Sequence, residues 1–93
     1  MTVRVSDPWT DISKWPGGSD TFVEAFAKGL AVISAFGDHR KLTLTDVARH
    51  TNLPRAGARR LLYTLVTLGM ARQEGGDFML TPRILQLGFA YLS

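Results

Sequence analysis

Residues 52–65 read N-L-P-R-A-G-A-R-R-L-L-Y-T-L, and this stretch constrains the fold more than any other. Pro54 suits the first position of a helix, where a missing N–H does no harm. From there Ala58, Leu61, Leu62 and Leu65 recur at helical spacing on one side, and the segment stops near Gly69. Directly opposite lie Ala56, Arg60, Tyr63 and Thr67, flanked by Arg55, Arg59 and Thr64. One side of this helix is made for a core. The other side carries three arginines within its first two turns.

The residues just before it complete a pattern. Thr45 reads as an N-cap, Asp46 suits the positive first turn of a short helix, and Val47 and Ala48 point inward before Thr51-Asn52 ends the run. Leu53 fills the turn. Asn52 stands where the backbone needs a left-handed residue, which Asn tolerates better than most. Ala48 is small where two helices must cross closely. The segment T-D-V-A-R-H-T-N-L-P-R-A-G-A-R-R-L-L therefore has the spacing of a helix-turn-helix.

Around this unit the chain supplies further elements. Thr21 and Glu24 form a capping-box signature, T-F-V-E, that opens a helix ending near Phe36 at Gly37-Asp38. Phe22, Phe26, Leu30 and Ile33 share one face of that helix, and Ala25, Gly29, Val32 and Phe36 run alongside as a second row. The small residues of the second row suit close approach by another helix, from this domain or from a second copy. After the arginine-bearing helix, A-R-Q-E-G-G-D-F-M-L reads as two short strands about a Gly75-Gly76 turn. A fourth helix is expected over residues 82–92, with Ile84, Leu85, Leu87, Gly88, Phe89, Tyr91 and Leu92 covering more than one stripe. A single small domain cannot bury so wide a face, so Leu85, Phe89 and Leu92, with the row Ala25, Gly29, Val32 and Phe36, are the expected contacts to a second copy or another domain. Residues 1–20 carry breakers and no period and read as a tail, in which Trp9 and Trp15 pack back on the domain or meet a partner.

The order is helix, helix, helix, hairpin, helix. This is a mostly α fold with a small β-hairpin: a winged helix-turn-helix over residues 21–81, then a linker helix over 82–93. Ninety-three residues make one domain, and 45% apolar content is ordinary for a globular one. With no cysteine, disulfides and thiolate metal sites are excluded. His39 and His50 stand alone without a carboxylate cluster at ligand spacing, and no nucleophile–base pair or phosphate loop is present, so neither an enzyme nor a cofactor is expected. The opening M-T-V-R-V-S-D-P-W has no apolar core of a secretory signal, and no apolar run approaches a membrane span, which makes the cytoplasm the default and excludes a membrane partner.

Net charge is only +3, but six of the eleven basic residues lie between positions 40 and 60, where Asp46 is the sole acid. A helix that enters the DNA major groove presents its N-terminal residues to the base edges. Arginine there bonds guanine O6 and N7 in a fork. Arg55, Arg59 and Arg60 are thus the expected groove contacts, with Ala56 small at the leading edge, Tyr63 and Thr64 further along, and the Thr43 and Thr45 hydroxyls at phosphates beside free helix N–H groups. The wing tip, Glu74-Gly75-Gly76-Asp77, is acidic, and Arg72 is the hairpin's basic residue, so the wing is expected to be mainly structural or to approach DNA through backbone N–H groups.

Taken together, F-V-E-A-F-A-K-G-L-A-V-I-S-A-F, L-T-L-T-D-V-A-R-H-T-N-L-P-R-A-G-A-R-R-L-L-Y-T-L-V-T-L-G-M and F-M-L-T-P-R-I-L-Q-L-G-F-A-Y-L-S resemble the N-terminal winged-helix domain of the IclR family of bacterial transcription regulators. The resemblance covers roughly residues 22–93. A-R-R-L-L and the final block look closest to the branch that regulates aromatic-acid catabolism. It implies a dimer, or a dimer of dimers in a full-length protein, on a partly palindromic operator in double-stranded DNA. It also implies a C-terminal domain through which a small-molecule effector acts. Asn52 departs from the glycine usual in the family's turn, and the acidic wing tip departs from its more basic wings. The rival reading is a winged helix used for protein interaction, which has no need of an unpaired arginine face.

Overall fold

A computed structural model of the chain describes residues 12–18 and 20–93. Helix α1 spans Glu24–Ala35, strand β1 Leu42–Thr43, α2 Leu44–Thr51, α3 Arg55–Thr67, β2 Ala71–Glu74 and β3 Asp77–Leu80. A 3₁₀ turn, Pro82–Ile84, leads into α4, Leu85–Leu92. The expected mostly helical architecture with a small β-hairpin forms, and β1 adds a third strand to the hairpin.

The core lies where α1, α2, α3 and the sheet converge. Val32 and Phe36 meet Val47, Ala48, Leu53, Ala58, Leu62, Leu65 and Phe78, all buried. Leu61, expected among the buried residues of α3, packs against the edge of this cluster and is half-exposed. Thr51 is a polar residue in the core, and its Oγ1 donates to the Val47 carbonyl at 2.7 Å, so burial leaves its hydroxyl satisfied.

The C-terminal ends of the two apolar rows of α1 share the core, Ile33 packing against it beside Val32 and Phe36, while the N-terminal residues of both rows face outward. Val32 and Phe36, expected at a contact with a second copy, are 0% and 2% exposed inside this domain, whereas Phe26 is 69% exposed and Leu30 lies at the surface beside it. Both rows are apolar at helical spacing, so period alone does not choose which residues go inside. Packing against the core residues of α2 and α3 does. The start of α1 also differs. Val23, not Thr21, is the N-cap and has no polar side chain to cap with, and Glu24 pairs with Lys28 at 3.1 Å.

The hairpin belongs to a three-stranded sheet of order β1-β3-β2, antiparallel throughout. Leu42 pairs with Phe78 and Thr43 with Asp77, so β1 ties the wing to the residues that open α2. Gly75 supplies the positive φ (+60°) of the β2–β3 turn. At the base of the wing, Thr81 donates from its backbone to Met70 O at 2.9 Å and from its hydroxyl to Gly69 O at 2.5 Å, fastening the end of β3 to the end of α3.

Part of the N-terminal segment packs onto the domain. Residues Ile12–Lys14 form a 3₁₀ turn whose Ile12 touches the core, and the Trp15 ring lies 5.6 Å from that of Phe22. Trp9 falls outside the described residues. His39 and His50, read as separate, meet with ring centroids 5.2 Å apart, because the loop after α1 folds back on the last turn of α2. No group of three or more potential metal ligands forms among the described residues, and no described helix is long and apolar enough to cross a membrane.

Candidate nucleic-acid interface

Helices α2 and α3 meet at a tight turn built on Asn52, whose φ of 63° and ψ of 24° place it in the left-handed region. An asparagine tolerates that conformation because its short polar side chain bonds locally. The turn sets α3 against the core through Ala58, Leu62 and Leu65. Arg55, Ala56, Arg59, Arg60, Tyr63, Thr64 and Thr67 are all left exposed, as their spacing requires.

The N-cap of α2 is Thr43 and not Thr45. Thr43 Oγ1 accepts from Asp46 N and Asp46 Oδ2 accepts from Thr43 N, both at 3.1 Å, a reciprocal capping box. Hydrogen bonds from the backbone N–H and the side chain of Thr43 hold the Asp46 carboxyl below its ordinary value, with Arg49 and His50 adding smaller electrostatic contributions. The signal was present in T-L-T-D, where an acid stands three residues after Thr43. Its hydroxyl oxygen is committed as an acceptor within the box. Thr45, released from capping, is exposed in the first turn of α2 and accepts a hydrogen bond from Arg55 Nη1. That bond joins the first turns of the two helices.

The α3 arginines have distinct surroundings. Arg55 is tied to Thr45. Arg59 lies over the Tyr63 ring, with Cζ 4.9 Å from the centroid. Arg60 has neither a side-chain hydrogen bond nor an ion pair among the described residues. The ion pairs there join Lys28 to Glu24, Arg49 to Asp46 and Arg72 to Glu74, and none takes up an arginine of α3. Thr64 is a less available donor than the sequence suggested, because its hydroxyl donates to the Arg60 carbonyl at 2.8 Å.

Charge is placed here against the helix's own preference. The N-terminal end of a helix carries partial positive charge, and a cation in the first turn is disfavoured by about 0.3–1 kcal/mol. Helix α3 has no acid in its first turn, and its N-cap is Pro54, which offers no side-chain cap. Its leading N–H groups and arginines therefore present one continuous positive edge. The helix dipole gains nothing from that arrangement, whereas an anion placed against it would be stabilised.

The wing is of a different character. Arg72 Nη2 lies 3.6 Å from Glu74 and 3.8 Å from Met79 Sδ, so the hairpin's cation is neutralised by its own acidic tip. Away from this side, α1 shows Val23, Phe26 and Leu30, and an open apolar groove runs between Trp15, Phe22, Phe26 and Leu30. Ala25 is exposed and Gly29 half-buried on the same helix. Helix α4 buries none of its residues, and Leu85, Leu87, Phe89, Tyr91 and Leu92 are all exposed.

Three helices closed by a small sheet, with the second helix of the helix-turn-helix presenting an uncapped basic face, define a winged helix-turn-helix DNA-binding domain. The family model described as the IclR helix-turn-helix domain matches residues 25–75. The chain belongs to this family of transcription regulators, which are not enzymes. It is 42% identical over 90 residues to the Pca regulon regulatory protein of Pseudomonas putida, a match spanning 96% of this chain and 31% of that protein. Over 76 residues it is 41% identical to the p-hydroxybenzoate hydroxylase transcriptional activator of Acinetobacter baylyi, covering 81% of this chain and 28% of the relative. The crystal structure of an IclR family transcriptional regulator from Brucella abortus superposes with a TM-score of 0.81 at 33% identity, over 94% of this chain and 35% of that one. The chain spans about a third of the length of the curated relatives it matches.

Proposed function

We propose that this domain reads a partly palindromic operator in double-stranded DNA, as the DNA-binding part of a dimeric, ligand-responsive regulator of aromatic-compound catabolism. The observation that carries the reading is the set Arg55, Arg59 and Arg60, paired with no acid among the described residues, on the uncapped N-terminal half of α3. Inserted in the major groove, that half brings Arg59 and Arg60 to base edges and Ala56 to a thymine methyl. Arg55 with Thr45, and Thr43 beside them, face the phosphates flanking the groove, and Tyr63 and Thr64 extend the same face. The names of the Pseudomonas and Acinetobacter relatives support the catabolic assignment.

Residues 21–81 form the reading unit, and residues 82–93 lead as a linker helix towards a C-terminal effector-binding domain. The dimer contact uses the outward side of α1, Phe26 and Leu30 with Ala25 and Gly29, together with Leu85, Phe89 and Leu92 of α4. An eight-residue helix is marginal by itself in water, which favours a covered α4 in the working protein. Such a regulator works in the bacterial cytoplasm, on the nucleoid.

Selection of bound duplexes from a randomised pool near physiological salt tests the reading. An inverted repeat with guanine in each half-site, and an affinity that falls steeply with salt as counterions are released, is the expected result. Retention of DNA without enrichment of any sequence would overturn it. The protein-interaction reading, which the acidic wing tip favours, would then lead.

A further inference from the structure

We infer that Tyr63 is a positioning residue that acts on DNA through Arg59: its ring, braced against Phe78 of the wing, holds the Arg59 guanidinium ready for a base edge. This rests on the DNA-reading proposal and assigns a role within the same face. Phe78 lies in the central strand of the sheet, paired with Leu42 on one side and Gln73 on the other, and is 3% exposed. It is among the best-fixed rings in the domain. Tyr63 packs edge-on against it, with centroids 5.9 Å apart and planes at 73°, the favoured geometry for an aromatic pair. Arg59, one turn earlier on α3, sits over the Tyr63 ring, 4.9 Å from its centroid. Order is thus passed from sheet to Phe78, to Tyr63, to Arg59.

The chemistry of the contact favours this role over direct phosphate binding by the Tyr63 hydroxyl. A guanidinium resting on a ring uses its flat face, and its N–H donors radiate in the plane, still available for a forked bond to guanine. Arg55 differs, since one of its donors is already given to Thr45. Fixing a rotamer-rich side chain before binding is worth roughly 2- to 10-fold in affinity per half-site. The wing, whose tip is acidic, then contributes to recognition from behind, through a buried ring, without touching DNA.

The test is a double-mutant cycle on the whole chain with the duplex enriched from the randomised pool, alongside thermal unfolding of each variant. Tyr63→Phe keeps the ring and removes the hydroxyl, and is expected to bind within about twofold of the unsubstituted chain. Tyr63→Leu is expected to lose roughly 2- to 10-fold per half-site. In an Arg59→Ala background the same Tyr63→Leu change should cost nothing further. If Tyr63→Leu lowers the unfolding temperature, Tyr63→Gln repeats the cycle with a residue suited to an exposed helix. A Tyr63→Phe variant as weak as Tyr63→Leu, or a Tyr63→Leu loss that persists undiminished without Arg59, overturns the positioning role. Absence of specific binding by the unsubstituted chain would instead remove the DNA-reading proposal itself.

Discussion

Helices α3 and α4 both turn a broad face to solvent, and the two faces are chemical opposites. That of α3 carries Arg55, Arg59 and Arg60, with no acid paired to them among the described residues. That of α4 carries Leu85, Leu87, Phe89, Tyr91 and Leu92 and, from Leu85 to Leu92, no charge at all. Water tolerates the first at little cost and the second poorly. An unpaired basic face at a helix N-terminus calls for a polyanion, and an uncovered apolar helix calls for protein. Under the proposed function, the contrast separates reading DNA and joining other polypeptide onto different elements.

Substitutions on and between these faces can break that separation. The largest effect should come from neither face but from the core that holds them apart. Phe36→Ala is expected to destabilise the domain by about 3–5 kcal/mol in denaturant unfolding, while Phe26→Ala on the outer side of α1 should stay within about 0.5 kcal/mol. Equal losses would mean that the assignment of inner and outer α1 residues is wrong. Next, Arg59→Glu with Arg60→Glu should weaken operator binding at least ~100-fold in fluorescence anisotropy, since each forked contact is worth about 1–3 kcal/mol. Association between copies, followed by sedimentation, should not change. Phe89→Asp with Leu92→Asp should do the reverse, weakening association by roughly tenfold or more while leaving single half-site binding and thermal stability intact, because about 25 cal/mol is lost per Å² of apolar surface that no longer meets a partner. Loss of both functions in either pair would show that the faces are coupled.

Smaller effects probe the turn that orients α3. Thr43→Ala removes the capping box and should cost about 1 kcal/mol, a drop of roughly 4–8 °C in unfolding temperature for a domain of this size. Thr45→Ala, which leaves the cap alone, should not lower it. The Asp46 half of the box is pH-dependent. Its carboxyl is held below the ordinary 3.8 by hydrogen bonds from Thr43, so its stabilisation is complete above that value and fades as the pH falls through the lower folded-state value. An Asp46→Asn variant should therefore be less stable than the unsubstituted chain at neutral pH, and the gap should narrow in acid. A gap that widens in acid would contradict the sign of this linkage.

Much of the reading face was legible because it is local. Pro54, the spacing of Ala58, Leu62 and Leu65, and three arginines out of phase with them all lie within one helix, where period translates directly into direction. Gly75-Gly76 marked the wing turn for the same reason. The α2 cap was misplaced by two residues although T-L-T-D carried the clue, since two threonines compete for one helix start. The pairing of Arg55 with Thr45, and that of Tyr63 with Phe78, joins residues from different elements, and no spacing within either element announces it.

By itself, then, the sequence determined the order of the helices and the hairpin, where the helix-turn-helix falls, and that an arginine face opposes the leucines of α3. Tertiary structure decided which residues of α1 are inside, that β1 joins the sheet, that His39 meets His50, and that the wing stands behind Arg59. Periodicity is a property of the chain's own geometry, felt over a few residues. The choice among equally apolar residues of one helix, or the meeting of two distant rings, depends on what else packs there, and only the folded whole supplies that.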